Sequence, residues 1–139
     1  MPLNEEKAKN LHKMVATAPF YQLLKISLEK IDEGLARFRM PFQRELTQGF
    51  GVVHGGAIAT LADTAVAYAL LSLVQPGERV ATVEFKINYL SSVTAGELIA
   101  EAHIINKGEK LALGGMEVKN EQGKLIAKGL ATYMILKNK

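Results

Sequence analysis

The stretch Gly51-Val52-Val53-His54-Gly55-Gly56-Ala57-Ile58-Ala59-Thr60-Leu61-Ala62-Asp63-Thr64-Ala65-Val66-Ala67-Tyr68-Ala69-Leu70-Leu71-Ser72 decides the fold. A histidine and two glycines open a helix that is apolar almost all the way round, whereas a surface helix would show a polar half. Other structure must therefore wrap it on most sides. It carries one acid, Asp63, and a carboxylate set among Ala, Val and Leu is costly unless paired, hydrated or protonated. Thr60, Asp63, Thr64 and Tyr68 recur at helical spacing, which predicts one narrow stripe of the helix facing something wet.

On the C-terminal side, Pro76-Gly77 closes this helix, predicted from about Gly56 to Val74. The period then changes from 3.6 to 2. Val83, Phe85, Ile87 and Tyr89 alternate with Thr82, Glu84, Lys86 and Asn88. Further strands are predicted at 97–106, 110–119 and 124–136, with hairpin-like separators at Lys107-Gly108-Glu109 and Asn120-Glu121-Gln122-Gly123. On the N-terminal side a helix over 4–16 gathers Leu11, Met14 and Val15 on one side and ends at Ala18-Pro19-Phe20. Strands are predicted at 22–31 and 35–42 around the turn Asp32-Glu33-Gly34, and Pro41 limits how far the second can pair. A loop from Arg44 to Val53 leads into the long helix. These elements imply a single α+β domain over 1–139, with an N-terminal helical segment at 1–18 and an antiparallel sheet packed on one long helix.

Composition narrows the function classes. Seventeen Lys and Arg against fourteen Asp and Glu give a formal net charge of +3, and the cations are dispersed. No dense basic block of the kind that tracks nucleic acid occurs. The chain has no cysteine, which excludes disulfides, thiolate metal sites and a thiol nucleophile. Its three histidines lack ligand spacing, so no metal is expected; His12 and His103 read as ordinary helix and strand residues. No apolar run approaches the roughly 20 residues needed to cross a bilayer, and a cytoplasmic protein with no membrane partner is expected.

His54-Gly55-Gly56 followed by Leu61-Ala62-Asp63-Thr64, with Val83-Glu84-Phe85-Lys86-Ile87-Asn88-Tyr89-Leu90 downstream, resembles the hot-dog-fold acyl-CoA thioesterases of the phenylacetate-degradation (PaaI-like) type. The likeness runs in order and spacing from about residue 35 to the C-terminus. It implies a five- to six-stranded antiparallel sheet curled around the central helix, assembly into dimers and often homotetramers, and hydrolysis of coenzyme A thioesters. No separate cofactor is implied, because coenzyme A is part of the substrate and product. The resemblance also gives Thr82 a hydroxyl that helps hold the attacking water; a strand threonine satisfied by backbone is the plainer alternative. Many members carry Asn six residues before the histidine, where this chain has Gln48. Tyr89, Leu90, Ser91 and Ser92, with Lys107, Gly108 and Lys110 on a neighbouring turn, correspond to the region that binds pantetheine and nucleotide. Many members have Arg-Pro where this chain has Ser91-Ser92, which removes one phosphate partner.

The chemistry also follows from the residues. Water attacking a thioester carbonyl generates an oxyanion, and free N–H groups at a helix N-terminus stabilise such a charge with the helix dipole behind them. Gly55 and Gly56 let a substrate approach that backbone, although a tight turn alone would also use glycine. Asp63 would activate water as a base or attack the carbonyl itself, and His54 would orient the loop or touch the thioester. Eight positions separate Gly55 from Asp63, about 12 Å of helix, too far for both to reach one carbonyl. The acid and the N–H donors would then come from different subunits, with paired sites at a dimer interface. Two other classes compete with the hydrolase: a non-catalytic acyl-CoA-binding or regulatory protein, which the retained Asp63 disfavours, and a hydratase, which would present its acid and histidine in another pattern. Acyl preference would follow from which of Phe50, Val52, Leu61, Tyr68 and Leu71 approach the site.

Overall fold

The computed structural model describes residues 1–137, so positions 138 and 139 of the domain expected over 1–139 lie outside the described residues. Helix α1 (Glu5–Thr17) starts where the Asn4 side chain accepts from the amides of Glu6 and Lys7, an N-cap with two acids in the first turn to complement the dipole. A second helix, α2 (Pro19–Leu24), follows at once. Here the expected strand at 22–31 is corrected. Pro19 does end α1, but it also sits at the first position of α2, where its fixed φ favours a helix. Lys25, at φ 58, then turns the chain out of α2, and the strand begins only at Ser27.

Six strands form one antiparallel sheet in the order β1-β2-β4-β5-β6-β3. They are β1 (Ser27–Asp32), β2 (Leu35–Pro41), β3 (Arg79–Tyr89), β4 (Glu97–Lys107), β5 (Leu111–Asn120) and β6 (Leu125–Leu136). β2 stops at Pro41, opposite Glu97 of β4, as the proline requires. Helix α3 (Gly55–Leu71) lies across the concave face, against β2, β3, β4 and β5. Leu61, Ala62, Ala65, Ala69 and Leu70 are fully buried between it and the sheet, together with Phe38, Met40, Leu98 and Ile126. Gly114 on β5 allows the close approach: a Cβ there would stand 2.6 Å from Val66 Cγ1 of α3. The helix ends three residues earlier than expected, because Ser72 Oγ turns back to donate to Ala69 O while accepting from Gly34 N. This is a hot-dog fold, a six-stranded antiparallel sheet wrapped around a long central helix.

Two features of the expected pattern shift. Thr64 and Tyr68 are buried rather than wet. Tyr68 lies about 140° round the helix from Asp63 at 3.6 residues per turn, and it packs edge-on to Phe38 and Tyr21. Thr64 Oγ1 donates to Thr60 O within the helix. The partly exposed strip is instead Ala59, Thr60, Asp63 and Ala67, with Gly56 at its open end. In β3 the simple alternation breaks at a bulge between Thr82 and Glu84. The extra residue, Val83, is left 55% exposed, and the phase change brings Thr82 onto the same inner face as Phe85.

Candidate active site

The mouth of α3 is built by its own first residues. His54, at φ −62 and ψ 136, is the N-cap, and its Nδ1 accepts from Gly56 N at 2.7 Å. Nδ1 is therefore unprotonated, and the ring proton sits on Nε2. The His54 amide donates to Leu46 O, and the His54 carbonyl accepts from Ala57 and Ile58. Of the two amides expected to polarise a carbonyl, that of Gly56 is thus taken by the cap. The Gly55 N–H, the first of the helix, makes no hydrogen bond among the described residues. Each glycine has a steric reason: a Cβ on Gly56 would stand 2.9 Å from His54 Nδ1, and one on Gly55 would stand 3.1 Å from Tyr89 Cζ. The Tyr89 hydroxyl also donates to Gly55 O at 2.8 Å, tying the end of β3 to the start of α3.

Asp63 lies two turns further along, half-buried. Thr82 Oγ1 stands 3.1 Å from both carboxylate oxygens. The Tyr133 hydroxyl reaches Asp63 Oδ1 and also stands 2.8 Å from the Asp63 main-chain carbonyl. Thr82 and Tyr133 are register partners across β3 and β6, so one rung of the sheet carries both hydroxyls to the acid. Burial first, and the neighbouring carboxylate second, push the Tyr133 phenol well above its ordinary range. It remains a donor at any working pH. Tyr133 was not singled out in the sequence; its inward place on β6, opposite a hydroxyl residue, is the signal that pairing reveals.

The structure assembles some expected residues and separates others. Asp63, Thr82 and Tyr133 form one group; His54, Gly55, Gly56 and Tyr89 form another, the two divided by about 12 Å of α3. The Gln48 side chain accepts from Phe50 N and closes its own loop, which the Gln48 and Val52 main chains bridge, and it makes no bond to His54. Leu90 and Ser91 leave β3 with both amides on Ile126 O, and Ser92 follows. The expected adjacency of this segment to Lys107, Gly108 and Lys110 is corrected within one chain. The Lys110 carbonyl accepts from Ile135 N, so the lysine turn lies at the far end of β6 from Ile126, about 30 Å away at 3.3 Å per residue. The reason is topological: the β4–β5 turn and the end of β3 flank opposite ends of the same strand.

A groove of about 340 Å³ opens beside the α3 mouth, lined by Phe20, Leu24, Leu46, Ala57, His54 and Thr60 among others. Of the residues expected to shape an acyl pocket, Leu61 and Tyr68 belong to the core and Phe50 is 91% exposed. A larger cavity of about 680 Å³, between α1 and the segment after α3, lies away from both polar groups. Among the described residues no three His, Cys, Asp or Glu side chains come together as a metal site would require, and no helix is long and apolar enough to cross a membrane.

The comparisons with known proteins converge. The family model described as the thioesterase superfamily matches residues 50–127, which includes the α3 mouth, Asp63 and Thr82. Acyl-coenzyme A thioesterase 13 of Homo sapiens is 32% identical over 128 residues, covering 91% of this chain and 85% of that protein. A putative esterase of Saccharolobus solfataricus is 30% identical over 138 residues, with 93% and 91% covered. The solved structure of the E. coli PaaI protein, from the phenylacetic acid degradation operon, superposes with a TM-score of 0.89 at 28% identity, covering 98% of this chain and 97% of that one. With its fold, its half-buried helix acid and these likenesses together, this chain belongs to the thioesterase superfamily, as a hot-dog-fold thioester hydrolase related to acyl-CoA thioesterases of the PaaI type.

Proposed function

We propose that the protein hydrolyses acyl-CoA thioesters in a site shared by two copies of the chain, with Asp63 of one copy and the Gly55 amide of the other acting on a single carbonyl. The observation that carries this is the pairing of one half-buried, hydroxyl-supported carboxylate with one free helix N-terminal amide, on the same helix but too far apart to meet. β3 supports the assembly. It is a long edge strand bonded only to β6, and an unpaired edge is a template for a second strand. Antiparallel pairing of β3 with β3 of a second copy, about a two-fold axis, would also bring Tyr89, Leu90, Ser91 and Ser92 of one chain to the end that holds Lys107, Gly108 and Lys110 of the other. Those lysines would then face the coenzyme A phosphates.

In this reading Asp63 either removes a proton from water, whose oxygen attacks the carbonyl carbon, or attacks that carbon itself to form an anhydride that water then opens. Both routes pass through an oxyanion facing Gly55 N–H. In the first its collapse breaks the C–S bond, and the proton taken from water passes from Asp63 to the departing sulfur; in the second the C–S bond breaks as the anhydride forms, and the water that later opens the anhydride supplies the proton that leaves coenzyme A as the thiol. His54 presents that amide by capping the helix through Gly56. The groove lined by Phe20, Leu24, Leu46 and Ala57 is apolar and lies beside the mouth, which suits the acyl group. A panel of short, medium, long and aryl acyl-CoAs, assayed with a thiol reagent, tests the reading: turnover of at least one is expected, and acyl-CoA binding without release of free thiol would favour the regulatory alternative.

A further inference from the structure

The geometry points to Tyr133 as a positioning residue that holds Asp63 by Oδ1 and leaves Oδ2 as the reacting oxygen. This rests on the reading of Asp63 given above. Tyr133 is 3% exposed, and its hydroxyl ends on Asp63 Oδ1 and on the main-chain carbonyl of the same residue. Thr82 shares its single proton between the two carboxylate oxygens, at 3.1 Å from each. The Tyr133 hydroxyl stands nearer to Oδ1 than to the main-chain carbonyl, so Oδ1 receives the larger share of its proton and part of Thr82's, whereas Oδ2 receives only part of Thr82's. The free lone pairs, and with them the capacity to take a proton or attack a carbonyl, lie on Oδ2.

Tyr133 is the titratable side chain that touches Asp63, and Tyr21 of α2 lies close enough to Tyr133 to influence its phenol. Inward positions on β2, β4 and β5 are apolar, Phe38, Ala100 and Met116 among them. On β3, Glu84 and Lys86 pair with Thr132 and Leu130 on the outer face. In the paired site, His54 of the second copy completes the set. Tyr133 thus aims the acid.

The test compares Tyr133→Phe with the intact enzyme, with Asp63→Asn as a reference and folding followed by circular dichroism. Phenylalanine keeps the ring in its buried place, so kcat is expected to fall about tenfold to a hundredfold with KM nearly unchanged, the loss of one hydrogen bond to a charged group. Site-specific fluorotyrosine at position 133, which keeps the donor in nearly the same shape, should hold kcat close to the wild type and decides the matter if the phenylalanine variant folds poorly. If Asp63→Asn is inactive while Tyr133→Phe keeps the wild-type kcat, or the fluorotyrosine enzyme loses as much kcat as removal of the hydroxyl is expected to cost, the positioning role is overturned and the role of Asp63 stands. If Asp63→Asn is fully active, the underlying reading fails instead.

Discussion

The Tyr89 hydroxyl donates to the Gly55 carbonyl at 2.8 Å, and its ring stands 3.1 Å from where a Cβ on Gly55 would lie. The last residue of β3 thereby fixes the first residue of α3. The same residue carries the free amide assigned to the oxyanion, so its N–H and its missing side chain can be tested separately. Gly55→Ala adds the Cβ and keeps the N–H; Gly55→Pro adds a Cβ and removes the N–H. Proline suits this first helical position, and His54 before it already has the extended conformation that proline demands. We expect kcat of Gly55→Pro to fall about a hundredfold below that of Gly55→Ala, the loss of one oxyanion donor. Equal kinetics in two folded variants would remove the amide from the mechanism.

Asp63→Asn should lower turnover of the best acyl-CoA by at least about a hundredfold, since a positioned base contributes 10²–10⁴-fold. The fold should survive, because asparagine keeps an acceptor for Thr82 and Tyr133. Steady-state kinetics beside a melting curve check both halves; near-normal kcat in the folded variant would contradict the assignment.

His54 is an N-cap as well as a candidate site residue, and the two roles respond differently to substitution. His54→Ala should cost on the order of 1 kcal/mol of stability through the lost cap. His54→Asn, which can cap the same helix, should restore most of that in chemical denaturation. If the two variants melt alike, the imidazole is not what holds the helix end.

A pH effect is expected far from the site. The Gln75 amide and Lys137 both donate to Glu78, and they hold its carboxyl below the ordinary value of 4.5. A depressed folded-state value stabilises the protein above the ordinary value, and that contribution is lost as pH falls through the lower one. On acidification from pH 7 to pH 3, roughly spanning that window, the wild type should lose more Tm than Glu78→Gln. Parallel Tm curves would show that the contacts carry no linkage.

Much of this was legible in the sequence, and the gaps have physical causes. The apolar length of α3 announced a wrapped helix, and its single acid marked the one strip of that helix that is left partly exposed. Strands β4, β5 and β6 were found within about two residues because their hairpin turns are marked by Gly, Asn and Lys. The segment 19–24 reads equally well as strand or helix by hydrophobicity, and only the proline at its first position tips it. Thr82 was placed on the wrong side of its strand, since a bulge has no signature in a single sequence. Tyr133 was invisible because its partner, Asp63, lies on α3 far away in the chain, and the pairing of β6 with β3 is what sets Tyr133 beside it. The Gly56 amide looked free until the histidine before it was seen to take it. The lysine turn looked adjacent to Ser91 and Ser92 until the sheet order put the two at opposite ends.

The central claim, that acid and amide come from different chains, is tested most directly by mixing Asp63→Ala and Gly55→Pro proteins under conditions where subunits demonstrably exchange. In a heterodimer with shared sites, one site carries both lesions and the other carries neither. Two inactive preparations should then regain about half the wild-type activity per heterodimer, by the symmetry of a two-fold interface. If exchanged mixtures remain as inactive as their parents, each site is built within one chain and the shared-site account is wrong.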